Sequence, residues 1–227
     1  MAIKRNNNID FDDFAEKYKD YLSDSLKSID SNTSYYHESK VKITKREINF
    51  DPEAILDFGC GIGMITKFLY KYFPGSNLFA YDNSEKSLSY VKSQLPNINC
   101  LDSLNIETKF DLIFVSNVIH HVKSSDRNGF LTKIRSLLNS NGKVIIFEHN
   151  PYNPITLKIV SDCDFDIDAE LIKKNNLIDL CSKNKLQVIN SGYIHFFPSK
   201  LKIFFNLEKY MKWFFLGAQY FCIFKKD

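Results

Sequence analysis

The sequence predicts an α/β fold, a doubly wound, mostly parallel sheet of seven strands with helices on both faces. Three observations carry that expectation. From Pro52 onward, short apolar runs alternate with segments whose apolar residues recur at helical spacing. Three glycines stand together where the first run ends. Past residue 185 the alternation gives way to two apolar runs flanking one helical stretch, which points to an antiparallel ending on the sheet.

Residues 1–50 read as a helical cap. Phe11, Phe14, Ala15, Tyr18 and Leu22 share one helical face, and a polar stretch from Ser28 to Ser34 separates them from a second helix over Tyr35 to Arg46. The sheet domain, 51–227, carries the runs Ala54–Phe58, Asn77–Tyr81, Asn97–Leu101, Phe110–Ser116 and Lys143–Glu148. Ile65, Phe68, Leu69 and Tyr72 mark a helix stopped by Pro74-Gly75. Ser84 reads as the N-cap of a helix bearing Leu88, Val91 and Leu95. Another helix spans Asp126 to Leu138 and is closed by Asn141-Gly142. Leu186–Phe197 and Gln219–Phe224 complete the strands.

Two segments, 149–185 and 198–217, fall outside the alternation and read as lid or substrate-side elements. Asp162, Asp164, Asp166 and Asp168 alternate as in a calcium loop, but Ile167 and Lys173 occupy the positions that need glycine and glutamate. Asp166 or Asp168 is therefore expected to cap the next helix, and no metal site is expected. Over Leu201–Leu216, Ile203, Leu207, Tyr210 and Phe214 form an apolar stripe widened by Phe204, Met211 and Phe215. Packing against the core or a second copy is the first expectation for it, in a monomer or homodimer. A lid, or contact with a membrane surface, is the second.

The 227 residues suffice for one full domain, and 44% hydrophobic with 25% charged residues is a soluble, globular balance. Five scattered cysteines show no zinc or disulfide spacing and read as reduced thiols of a cytoplasmic protein. The N-terminus is polar, without a signal-peptide core, and no apolar stretch approaches the about 20 residues that span a bilayer. A net charge of +3, spread along the chain, argues against nucleic acid as a partner.

Gly59, Gly61 and Gly63 sit in Asp57-Phe58-Gly59-Cys60-Gly61-Ile62-Gly63, where a buried strand turns into a helix. Glycine allows the tight turn and lets a ligand lie against bare backbone. A dinucleotide loop wants its third glycine at position 64, which is Met64. Asp57 before the loop would repel a pyrophosphate and attract an ammonium group. In these residues the sequence resembles the class I S-adenosylmethionine-dependent methyltransferases, which have a Rossmann-like fold. The resemblance covers about residues 53–148 and implies S-adenosylmethionine as cofactor. It implies that Asp82, followed by Asn83, binds both ribose hydroxyls. It further implies that Asp102, Ser103 and Leu104 line the adenine pocket, and that Ser116 and Asn117 border the sulfonium and its methyl group. Phe58, Cys60 and Met64 complete the expected cofactor contacts.

Methyl transfer needs alignment of the nucleophile and, for a hydroxyl, removal of a proton. His120 and His121 follow the fourth strand and Glu148-His149 follow the fifth, so adjacent strand ends bring them together. The arrangement is similar to that of small-molecule O-methyltransferases acting on sugars, which implies His121 as base with Glu148 supporting it. His37 and His195 read as ordinary surface or packing residues. Asn150-Pro151-Tyr152 reads as a stiff loop walling the substrate pocket. The expected partner is a small-molecule acceptor of glycan or metabolite type, received on a hydroxyl. A lipid-linked or aromatic acceptor at a membrane, RNA or protein as acceptor, and a non-catalytic cofactor-binding module are the alternatives.

Overall fold

The computed structural model describes residues 32–163, 166 and 168–227. The helix expected over Phe11 to Leu22 lies outside them. The chain enters through α1 (Thr33–Ile48), then β1 (Ala54–Phe58), α2 (Thr66–Tyr72), β2 (Asn77–Tyr81) and α3 (Glu85–Gln94). It continues through β3 (Asn99–Cys100), β4 (Phe110–Ser116), a 3-10 turn (Ile119–His121), α4 (Arg127–Leu137) and β5 (Leu138–His149). The last elements are α5 (Pro154–Ser161), α6 (Lys174–Lys183), β6 (Leu186–Ile194), a 3-10 stretch (Ser199–Tyr210) and β7 (Gln219–Lys226).

The seven strands form one sheet in the order β3-β2-β1-β4-β5-β7-β6. The first five pair in parallel, and β7 runs antiparallel to both β5 and β6. This is the mostly parallel sheet with an antiparallel ending that the sequence predicts. Its central strands are covered on both faces, which is why they read as unbroken apolar runs. Ile55, Leu112, Phe114, Ile145 and Phe147 pack with α1, α2 and α3 on one face. Leu56, Ile113, Val115, Val144 and Ile146 pack with α4 and α6 on the other. The strand order reverses between β1 and β4, so the crevice where such sheets bind ligands lies beyond the C-terminal ends of those two strands.

Four expectations change. The third strand is only Asn99–Cys100. Asn141-Gly142 does not close α4, which stops at Leu137, but lies inside β5. A Cβ on Gly142 would come within 2.6 Å of the Phe110 carbonyl oxygen, so glycine there serves close strand approach. The residue at the N-cap of α6 is Lys173, so neither Asp166 nor Asp168 caps it. Of the 201–216 stripe only residues 201–210 are helical, as part of the 3-10 stretch kinked at Leu201, and it is not core. Ile203 is 81% exposed and Trp213 79% exposed. Glu208 anchors this stretch from beneath, its buried carboxylate accepting the His195 and Phe196 N–H groups at 2.9 and 3.0 Å. Among the described residues, no helix is long and apolar enough to cross a membrane.

Candidate active site

β1 delivers its buried end into a turn that only glycine makes easily. Gly59, Gly61 and Gly63 have φ of 77°, 50° and 77°. The turn hangs on β2 through the Gly59 and Cys60 N–H groups, which both donate to the Tyr81 carbonyl at 2.8 and 3.0 Å. Asp82, at the end of β2, then braces it: one carboxylate oxygen accepts the Gly61 N–H at 2.8 Å and the other the Ser84 N–H at 2.9 Å. The three glycines differ in purpose. A Cβ on Gly59 would meet Val118 Cγ2 at 2.5 Å, one on Gly63 would press Val91 at 3.1 Å, and one on Gly61 would meet nothing within 4 Å. Gly61 therefore offers bare backbone to the cavity. Gly59→Ala is expected to cost at least about 2 kcal/mol in denaturant unfolding, from left-handed strain plus overpacking. Gly61→Ala should cost about half as much stability, since strain alone operates there. Its penalty should instead appear in ligand affinity by calorimetry.

The loop walls one end of a cavity of about 520 Å³, within the usual range for small-molecule sites. Asp57, Phe58, Gly59, Cys60, Gly61 and Met64 line it, with Asp82 and Asn83 from the end of β2 and Ser116 and Asn117 from the end of β4. Gly63 packs behind the loop. Asp102, Ser103 and Leu104 do not line the cavity. β3 leaves the sheet after two residues, and the Asp102 side chain, 82% exposed, pairs with Lys92 at 2.8 Å.

The opposite lobe was the less legible half. All five histidines of the chain line it: His37, His120, His121, His149 and His195. α1 places Thr33, Tyr36, His37 and Lys40 on one face at helical spacing, turned to the cavity. His195 arrives from the end of β6 and is held by the Ser39 hydroxyl at 2.7 Å. So His37 and His195, read from sequence as packing residues, are cavity walls. Lys40 is 2% exposed, and its Nζ donates to Ser116 Oγ at 2.8 Å and Asn117 Oδ1 at 3.4 Å. Gln219, opposite His149 in the β5–β7 ladder, donates to the same Asn117 oxygen at 3.3 Å. Asn150 is structural: its buried amide donates to the Phe215 and Gly217 carbonyls and clamps the loop before β7.

Glu148 does not line the cavity. One of its carboxylate oxygens accepts the Val118 and Ile119 N–H groups, and the other faces His120 Nδ1 at 2.5 Å. Its imidazole partner is thus His120, while the acid beside His121 is Asp166, at 3.5 Å. Burial resists a charge on His120, yet Glu148 and Asp166 outweigh it and push its pKa up to about 9. Burial and the charge of His120 bring His121 and His149 down to about 4. Burial lowers Lys40 to about 7 against the pull of Glu148. Burial also raises Asp57 to about 7, opposed by the Thr66 hydroxyl at 2.7 Å and reinforced by Asp82.

Three buried polar atoms of the cavity make no well-aligned hydrogen bond among the described residues: His37 Nδ1, Gln219 Oε1 and His120 Nε2, which faces Asp166 Oδ1 at 3.3 Å. Such atoms are costly unless a ligand or water meets them. Together with the open face of Gly61 and the acids at 57 and 82, they fit a polar nucleoside at one end and a polar acceptor at the other.

Known proteins share parts of this sequence and its fold. Residues 56–144 match the family described as methyltransferase domain. The chain is 26% identical over 196 residues to malonyl-[acyl-carrier protein] O-methyltransferase 1 of Ilyobacter polytropus, covering 81% of this chain and 69% of that protein. An S-adenosylmethionine-dependent methyltransferase from Clostridium acetobutylicum shares the fold with a TM-score of 0.66 at 15% identity, over 93% of this chain and 98% of that one. Magnesium protoporphyrin IX methyltransferase from Synechocystis, solved with bound cofactor, does so with 0.63 at 13% identity, over 98% and 100%. Within the cavity the sequence match spans the glycine turn, Asp82, the β4 end and the turn that carries His120 and His121. Residues 56–144 carry a methyltransferase domain, and the chain has the fold of the class I S-adenosylmethionine-dependent methyltransferases.

Proposed function

We propose that the protein transfers the methyl group of S-adenosylmethionine to a hydroxyl oxygen of a small-molecule acceptor, with Lys40 as the proton acceptor. The observation that carries this reading is the convergence of Lys40 and five histidines beside Ser116 and Asn117. The similar protein from Ilyobacter polytropus is named an O-methyltransferase, which supports oxygen as the nucleophile. When bound, the cofactor supplies an electrophilic methyl group on a positively charged sulfur. Lys40 would take the hydroxyl proton at Nζ as the acceptor oxygen takes up that methyl group, which the cofactor would release while keeping the bonding pair on its sulfur. The positive charge lost at sulfur reappears on Lys40, within the field of Glu148. His121 and His149, held neutral, orient acceptor hydroxyls as hydrogen-bond partners and are too weakly basic to compete for the proton. Glu148 positions His120 and the turn that carries His121.

The test is turnover with a panel of hydroxylated sugars, phenols and hydroxy acids, followed as release of the demethylated cofactor, with products located by mass spectrometry. An O-methylated product supports the reading. A methyl group found on nitrogen or carbon overturns it.

The Asp57 environment adds a pH dependence. Burial favours the neutral carboxyl, whereas the ammonium group of the cofactor favours the carboxylate. Below about pH 7, binding must first ionise Asp57, so affinity should fall toward about tenfold per pH unit as the pH drops. Without ligand the sign reverses. The raised pKa gives stability that is full below the unfolded value of 3.8 and lost as the pH climbs to about 7. Asp57→Asn should therefore flatten the pH dependence of affinity in calorimetry, and raise the melting temperature of the free protein above neutrality.

A further inference from the structure

We propose that His120, His121 and Asp166 form a binding site for a divalent first-row transition ion at the edge of the acceptor lobe. Two imidazole nitrogens and one carboxylate oxygen are the donor set that such ions prefer. Asp166 Oδ1 lies 3.3 Å from His120 Nε2 and 3.5 Å from His121 Nε2, and all three atoms fall within 4.8 Å of one another. Ligands held at about 2.0–2.2 Å from a zinc ion stand about 3–3.5 Å apart, so two of the three separations already match. Rotation of His121, whose side chain is 21% exposed, closes the third.

A second observation points to the same ion. His120 is 1% exposed, and its Nε2 faces Asp166 Oδ1 at 3.3 Å without a well-aligned hydrogen bond to any described residue. Its other ring nitrogen is fixed by Glu148 at 2.5 Å, and Glu148 is itself held by two backbone N–H groups. A carboxylate behind the outer nitrogen of a histidine is how proteins orient an imidazole toward a metal. Charge leads to the same place. Glu148 and Asp166 bring two negative charges onto one buried imidazole, and a single proton balances one of them, whereas a divalent ion balances both. The segment that presents Asp166 is docked on the histidine turn, through the Glu170 N–H donated to the His120 carbonyl at 2.8 Å. Arg127 holds the Glu170 carbonyl from the other side. The remaining coordination positions would open on the cavity that His120, His121 and Asp166 line.

The experiment uses the full chain, stripped with a chelator, titrated with Zn2+ in a calorimeter and with Co2+ in the visible spectrum. One ion per chain is expected, with the d–d bands of nitrogen and oxygen coordination and no thiolate charge-transfer band. Asp166→Asn and His121→Ala should each weaken zinc binding at least about tenfold, and Glu148→Gln by about 10–100-fold through loss of the orienting carboxylate. Cofactor affinity and thermal unfolding of the same samples show whether each variant is folded, and they report on the methyl-donor site separately. The absence of saturable zinc heat in the wild type overturns the proposal. So does zinc binding in folded Asp166→Asn and His121→Ala that equals the wild type, or a cobalt spectrum dominated by thiolate.

Discussion

Asp82→Ala is expected to weaken S-adenosylmethionine binding more than a hundredfold in calorimetry, with the fold retained in circular dichroism. The carboxylate has two tasks. In the free protein one oxygen holds the glycine turn at Gly61 while the other is fixed by the Ser84 N–H at the start of α3, and so the cradle is set before any ligand arrives. An ionised carboxylate offers about four acceptor sites, so the same group can also accept the ribose hydroxyls. Hydrogen bonds to a charged group contribute about 1.5–3 kcal/mol each, and losing two amounts to at least about 3 kcal/mol. That is over a hundredfold in affinity at about 1.4 kcal/mol per decade. Asp82→Asn keeps the shape and loses the charge, and should fall between the two. The reading fails if Asp82→Ala binds the cofactor like the wild type.

Why this half of the site was legible in the sequence is a matter of chain distance. The turn, its bracing acid and the β4 end each lie at the C-terminal tip of a parallel strand, and the topology of the sheet makes those tips neighbours. A short motif therefore reports a three-dimensional site. The acceptor lobe has no such shortcut. Ser39 and His195 are 156 positions apart and yet hydrogen-bonded, and nothing in their local spacing marks the pair. Lys40 sits in a helix whose other residues read as an ordinary solvated surface, and only burial shows that its charge has left water. Periodicity misled in the opposite way at 201–216. An apolar stripe reveals that residues share a face but not which way the face looks, and here Ile203 and Trp213 look outward. The alternating aspartates gave a third case. Counting positions against a calcium loop says nothing of the approach of Asp166 to histidines more than forty residues earlier in the chain.

Replacing Lys40 is the sharpest test of the chemistry. Lys40→Met removes the amine while keeping most of the buried stem, and turnover should drop by about 10²–10⁴-fold, the usual contribution of a positioned acid or base. Cofactor affinity should change far less than in Asp82→Ala, because among the described residues Lys40 Nζ meets Ser116, Asn117 and the Phe147 ring rather than the glycine turn. The wild-type rate should rise with pH up to about 7 and then level, since the neutral amine is the active form and burial has brought its pKa to that value. The groups that set this value face Lys40 from several elements. Glu148 raises it, while burial and Lys40 together lower His37, His149 and His195; His37 at about 3 and His149 at about 4 add no second limb near 7. Lys40→Arg separates charge from basicity. Its guanidinium stays protonated, so it should be as inactive as Lys40→Met if the amine takes a proton. Substantial turnover by Lys40→Arg, with the alkaline rise gone, would instead mean that the site needs a fixed positive charge, as for an acceptor that arrives already ionised.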